Sequence, residues 1–251
     1  MNAIDLLRSH KYAEAVAACR QRLSVNADDI GAINTMADAL CALEKYEEAL
    51  PLYERLDADE KGRPNITPGH PGRQMDISCL YWFMADRPKA IALMRGMVDG
   101  ILDGSIQRST DIAGGMTQGL LLRYMGATAN RPDQAGFASD YMRKRARKNF
   151  PDSWPNPVAR YCLGEISFGA LLAAATGQQE LPQATDVARV KLLSRRRLCV
   201  ALFHDGVKGR IQGDEEGCLA RMRECYALEN PLIEHEWYLA RYEVEHAAAS
   251  K

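Results

Sequence analysis

Two short stretches concentrate the side chains able to do acid–base or metal chemistry: His204-Asp205 and Glu234-His235-Glu236. Imidazole and carboxylate groups are suitable ligands for a divalent metal, and a helix hairpin could bring the two stretches together. The same residues also serve as packing and hydrogen-bonding groups inside a helical core, and that is the preferred reading. Cys218 and Cys225 lie seven positions apart on one helical face. That spacing is too wide for a tight metal site and suits buried small residues. His10 at a turn and His246 near the C-terminal end read as solvated. His70, within Pro68-Gly69-His70-Pro71-Gly72, sits in an exposed loop that could touch a partner. The chain has no Gly-x-Ser-x-Gly, no P-loop, no His-Glu-x-x-His and no Cys-x-x-Cys. The expectation is a non-catalytic protein with no cofactor and no bound metal.

Two basic runs, Arg143-Lys144-Arg145-Ala146-Arg147-Lys148 and Arg195-Arg196-Arg197, raise the question of nucleic acid. On a helix their charges spread around most of the circumference, whereas nucleic-acid binding needs one basic stripe with stacking aromatics nearby. A solvated or acid-paired surface is the favoured reading. The charge is nevertheless segregated. Residues 1–61 carry 7 basic and 12 acidic side chains (net −5), residues 140–212 carry 13 and 6 (net +7), and residues 213–251 carry 4 and 9 (net −5). Such a pattern steers charged macromolecular partners, unless oppositely charged segments face each other across helix interfaces.

The elements that hold these groups follow from an internal repeat. Shifting the 251-residue chain by 34 positions aligns residues 3–15 with 37–49, and six of the thirteen pairs are identical, among them Lys11/Lys45, Tyr12/Tyr46, Glu14/Glu48 and Ala15/Ala49. The pattern predicts a helix ending near Ser9 or Leu43, a tight connection, and a second helix opened by Tyr-x-Glu-Ala. Ala90 follows Ala49 by 41 positions, which predicts a third hairpin with a seven-residue insertion. A fourth is predicted over roughly 112–149, divided at Asn130-Arg131-Pro132-Asp133. Two short helices flank Gly164-Glu165-Ile166-Ser167, with Ser167 as N-cap. Long and short helices then meet at Gly213, and a last helix spans about 232–246. The segment from Asp57 to Gly72 is dense in proline and glycine and reads as a loop through which no helix runs. No stretch sustains strand alternation.

The Lys45-Tyr46-Glu47-Glu48-Ala49-Leu50 segment, with Tyr53 and Leu56 after it and Ile33, Met36, Ala37 and Leu40 before it, resembles the tetratricopeptide repeat. From Trp154 onward, Tyr161-Cys162-Leu163-Gly164-Glu165-Ile166-Ser167 and the Ile233-Glu234-His235 helix are similar to the C-terminal half of the subfamily of the lipoprotein NlpI, whose members bind proteins as adaptors. The expectation is a member without that subfamily's signal peptide and lipid-bearing cysteine. The resemblance implies an all-α helical-hairpin solenoid, a right-handed superhelix with a C-terminal capping helix. Its N-terminal part would be residues 1–149, with the Pro/Gly loop at 57–73, and its C-terminal part residues 150–251.

In that family the first helix of each hairpin lines a concave surface. Carried over by position, this places Asn34, Asp38 and Cys41, and then Cys79 and Trp82, in a groove. Trp82 belongs to Tyr81-Trp82-Phe83, whose side chains point about 100° apart on a helix and cannot all enter one core. The implied activity is binding of another protein or peptide, in one version as an immunity protein occluding a bacterial toxin domain. The alternatives are a bacterial adaptor or assembly factor and, from other classes, a metal-dependent protein using His204 and His235 or an RNA-binding protein using the basic runs. Seven scattered cysteines suggest a reduced, cytoplasmic setting. No apolar run reaches the roughly 18 residues of a membrane span, and Met1–Asp5 has no basic region before an apolar stretch, so no membrane partner is expected.

Overall fold

The computed structural model describes residues 2–62, 73–106, 114–146, 153–177, 187–230 and 234–249. Among the described residues there are thirteen helices and no strand. They are α1 (Ala3–Arg8), α2 (Tyr12–Val25), α3 (Ile30–Ala42), α4 (Tyr46–Gly62), α5 (Gln74–Phe83), α6 (Arg87–Asp103), α7 (Met116–Thr128), α8 (Pro132–Ala146), α9 (Asn156–Cys162), α10 (Phe168–Thr176), α11 (Val187–Ile211), α12 (Glu215–Tyr226) and α13 (His235–Ala249). The chain divides into two compact units, Met1–Leu93 and Met94–Lys251. The fold is all-α and built of helical hairpins.

Among the described residues one backbone device makes six of the hairpin corners. The chain enters the left-handed region at His10 (φ 58°), Glu44 (φ 60°), Ala85 (φ 63°), Asn130 (φ 52°), Gly164 (φ 80°) and Gly213 (φ 87°). At each of these positions the following N–H reaches back five residues: Lys11 to Leu6 (2.9 Å), Lys45 to Leu40 (2.9 Å), Asp86 to Tyr81 (2.9 Å), Arg131 to Gly126 (2.8 Å), Glu165 to Arg160 (2.8 Å) and Asp214 to Gly209 (2.9 Å). This is the Schellman arrangement, which satisfies carbonyls that a helix end otherwise leaves open. In five of the six corners the next residue's carbonyl at once starts a new helix, accepting from Ala15, Ala49, Ala90, Ala135 or Cys218. The fifth corner inserts two residues first, and Ser167 becomes the N-cap, its Oγ accepting from the Ala170 N–H at 3.2 Å.

Small residues then let the paired helices close up. Ala15, Ala49, Ala90 and Cys218 are all fully buried. A Cβ on Gly206 of α11 would stand 3.0 Å from the Cys218 carbonyl of α12, so glycine sets the approach of that hairpin. In the first unit α2 packs on α3 and α4 on α5, so consecutive hairpins share a face. Ser78 ties α5 to α6, its Oγ donating to the Ala90 carbonyl at 2.8 Å. In the second unit the first helices of successive hairpins touch one another, α7 with α9, α9 with α11, and α11 with α13, while α13 also covers α12. Tyr124 and Phe203 pack edge to face at 4.9 Å between α7 and α11.

The structure corrects the expected loop at 57–73 in one respect: α4 runs on through Asp57 to Gly62. No proline precedes Pro64 in that stretch, and Lys61 pairs with Asp57 one turn earlier at 2.6 Å. Among the described residues no helix is long and apolar enough to cross a membrane.

Candidate functional site

In the first unit the residues placed in the groove fall into two sets. Asn34, Asp38 and Cys41 follow each other along one side of α3. Asp38 is buried and accepts from the Tyr53 hydroxyl on α4 at 2.6 Å and from Asn34 Nδ2 at 3.1 Å. Burial, together with the neighbouring Cys41 and Asp38, pushes the Tyr53 hydroxyl well above the usual phenol range. Asn34 and Cys41 are half-buried, and Asn34 Oδ1 has no hydrogen-bond partner. Beside this group, the Arg73 N–H donates to Asp57 at 2.8 Å, and its guanidinium pairs with Glu60 at 3.0 Å and Asp76 at 3.9 Å. Burial works against the Arg73 charge, but Asp76, Glu60 and Asp38 outweigh it and raise its pKa.

Cys79 and Trp82 form the second set, and the structure corrects their placement. Trp82 is 0% exposed and Cys79 2% exposed, so both are core residues that present no surface to a partner. Arg87 lies over the Trp82 ring at 3.7 Å. The half-buried member of the aromatic trio is Phe83, stacked on Tyr46 at 4.9 Å across the neighbouring hairpin. Asp38 is likewise buried, at 6% exposed. His70 lies outside the described residues.

The second unit draws part of the histidine–carboxylate constellation together. His204 of α11 is fully buried with Nε2 3.3 Å from Glu236 Oε1 of α13. Burial drives the imidazole below its ordinary pKa, only partly offset by Glu236, and so keeps it neutral near pH 7. Burial also opposes ionisation of Glu236, but the bond to His204 outweighs it and its pKa falls. Glu234 is pushed up to about 8, first by burial and then by the Glu236 charge, with Arg196 3.8 Å away moderating the rise. Arg123 of α7, 4% exposed, adds a buried cation whose field further opposes protonation of His204. Arg123 Nη1 and His204 Nδ1 have no hydrogen-bond partner.

Asp205 leaves this centre. It accepts from the Tyr161 hydroxyl and pairs with Arg221 at 2.6 Å, lining an open cavity of about 410 Å³ together with Lys208 and Glu224. Among the described residues no three His, Cys, Asp or Glu side chains are grouped to hold a metal. Cys218 and Cys225 are both buried, and neither contributes to a ligand set. Three of the six described basic residues in the two runs lie against acidic side chains. Arg143 pairs with Asp140 (2.5 Å), Arg195 with Glu229 (2.7 Å) and Arg196 with Glu234, while Arg145 donates to the Gly114 carbonyl. Arg147 and Lys148 lie outside the described residues.

Sequence reasoning missed Tyr53 as the hydroxyl that fixes Asp38, and Arg123 beside His204. The first was legible in principle, because reflecting positions about the Glu44 corner brings the middle of α4 onto α3. The second joins helices two hairpins apart and leaves no local signal. Compared with known proteins, the chain matches no family model and no curated protein.

Proposed function

We propose that this chain is a non-catalytic protein-binding module built of tetratricopeptide-like hairpins, which receives a partner polypeptide along the first helices of its hairpins. The observation that carries this reading is the corner repeated six times with one hydrogen-bond pattern. A surface held by such a scaffold loses little conformational freedom on binding, the general advantage of repeat architectures as binding platforms. Asn34 and Cys41, half-buried above the Asp38–Tyr53 bond, are the positions of the first unit where a partner would be read. Within this reading the chain acts by occlusion, as an immunity protein covering a bacterial toxin domain.

The test uses the full chain as bait in its native cell, followed by reconstitution with the purified captured protein. A direct complex is expected, weakened at least about tenfold by Asn34→Arg with helicity unchanged, since a cation placed at a desolvated contact costs more than about 1.4 kcal/mol. Expression of the captured protein alone is expected to arrest growth, and co-expression with this chain to restore it. If no captured protein binds the purified chain directly, the binding reading fails. If one binds but is harmless, occlusion of a toxin fails while the binding reading stands.

A further inference from the structure

The α11/α12 hairpin places two thiols face to face. Cys199, midway along α11, and Cys225, in the last turn of α12, have their sulfurs 3.2 Å apart, and both are fully buried. Cys225 Sγ also lies 3.5 Å from the Cys199 carbonyl and 4.0 Å from that of Glu236. The register follows from the corner. Cys199 precedes Gly213 by 14 residues and Cys225 follows it by 12, so an antiparallel pair folded there brings them to one level. A disulfide needs the sulfurs at about 2.05 Å, which is an approach of roughly 1.1 Å from where they stand.

We propose that Cys199 and Cys225 form a redox modification site, at which hydrogen peroxide converts the two thiols into a disulfide joining α11 to α12. One thiolate attacks a peroxide oxygen, breaking the O–O bond; the sulfur becomes a sulfenic acid and hydroxide leaves, taking up the displaced proton as water. The second thiol then attacks that sulfur, the S–S bond forms, and the sulfenic oxygen departs as a second water. In sum, two thiols and one peroxide give one disulfide and two waters. Burial pushes the Cys199 thiol well above its ordinary range, so the attacking thiolate forms only when local opening wets the seam and admits peroxide. The bond closes a loop of 26 residues and restrains the hairpin against separation.

The experiment treats the folded, fully reduced chain with hydrogen peroxide, blocks remaining thiols, and maps linkages by mass spectrometry. Trypsin separates the partners, because Cys199 falls in residues 198–208, Cys218 in 211–221 and Cys225 in 224–241. The expected result is loss of two of the seven thiols, a 198–208/224–241 peptide lighter by two hydrogens than its reduced halves, and a midpoint of thermal unfolding raised by roughly 5–10 °C. Cys225→Ala should remove the linked peptide and the thermal gain together. The proposal is overturned if the folded wild-type chain yields no such peptide, if other cysteines link instead, or if the link forms only after denaturation.

Discussion

Hairpin α3/α4 and hairpin α11/α12 turn through the same corner, yet they bury polar groups on opposite terms. Around Glu44 the interior carboxylate, Asp38, holds a short bond from Tyr53 and a second from Asn34. Around Gly213 the interior holds His204 and Glu236 at 3.3 Å, with Glu234 beside them and two nitrogens without protein partners. The backbone rule is shared because helix ends everywhere face the same shortage of hydrogen-bond partners. The interiors differ because the start of α13 and the residue just before it bring two carboxylates, Glu236 and Glu234, to the second hairpin. Repetition therefore fixes geometry and leaves electrostatics free.

The largest expected effect tests that difference. Glu234 has a folded pKa near 8, above its ordinary carboxylate value. The folded state thus binds the proton more tightly, and the stability this contributes is complete below about pH 4.5 and is lost as pH rises through about 8. The groups facing Glu234 are Glu236, which raises it, and Arg196 and His235, which lower it. His204 has the opposite sign: its pKa is depressed, so its contribution is present above about pH 6.5 and lost as pH falls. Glu234→Gln should leave stability near pH 4 unchanged and exceed the wild type by about 2–3 kcal/mol near pH 9. Each pKa unit is worth about 1.4 kcal/mol, and the 21% exposure of the side chain lets solvent screen part of the repulsion. Urea unfolding from pH 4 to pH 9 measures it. Parallel curves for the two proteins would mean that Glu234 is not held protonated in the folded chain.

Tyr53→Phe is the matching perturbation of the first hairpin. It removes the donor at 2.6 Å from Asp38 and leaves the bond from Asn34 at 3.1 Å in place. Hydrogen bonds to charged groups contribute about 1.5–3 kcal/mol, so a loss of about 2 kcal/mol is expected at pH 7. A loss below about 0.5 kcal/mol would show that water replaces the hydroxyl and that Asp38 is less secluded than its 6% exposure implies.

The sequence carried the hairpins further than it carried their contents. The 34-residue offset of Lys11-Tyr12 onto Lys45-Tyr46 and the small residues at Ala15, Ala49 and Ala90 are local signals, and they located the first three corners. The α9/α10 corner at Gly164 was legible too, but from its glycine and the Ser167 cap rather than from a period, because α9 has only seven residues. The burial of Trp82 was not legible. A 100° argument shows that three successive aromatics diverge, but which of them escapes depends on what packs against α5, and that is tertiary information. The Cys199–Cys225 contact was within reach, since their near-equal distances from Gly213 specify it. Reading the cysteines by spacing along one helix, rather than by reflection across the turn, concealed it.

The smallest effect isolates the shared backbone. Ala85 and Gly213 occupy equivalent corners, at φ 63° and 87°. Ala85 is exposed, and a Cβ on Gly213 would meet nothing within 4 Å, so neither position involves packing. The difference between them is then the left-handed penalty of a Cβ set against the greater freedom of glycine in the unfolded chain. Ala85→Gly should stabilise by about 0.5–1 kcal/mol and Gly213→Ala should destabilise by a similar amount. The swap of both would leave stability unchanged to within about 0.5 kcal/mol, because the sites belong to different compact units and their effects add. If Ala85→Gly instead weakens the chain, the penalty at that corner has been absorbed by the 3.1 and 2.9 Å bonds from Ala85 and Asp86 to the end of α5, and the corner is held by its hydrogen bonds more than by the residue that occupies it.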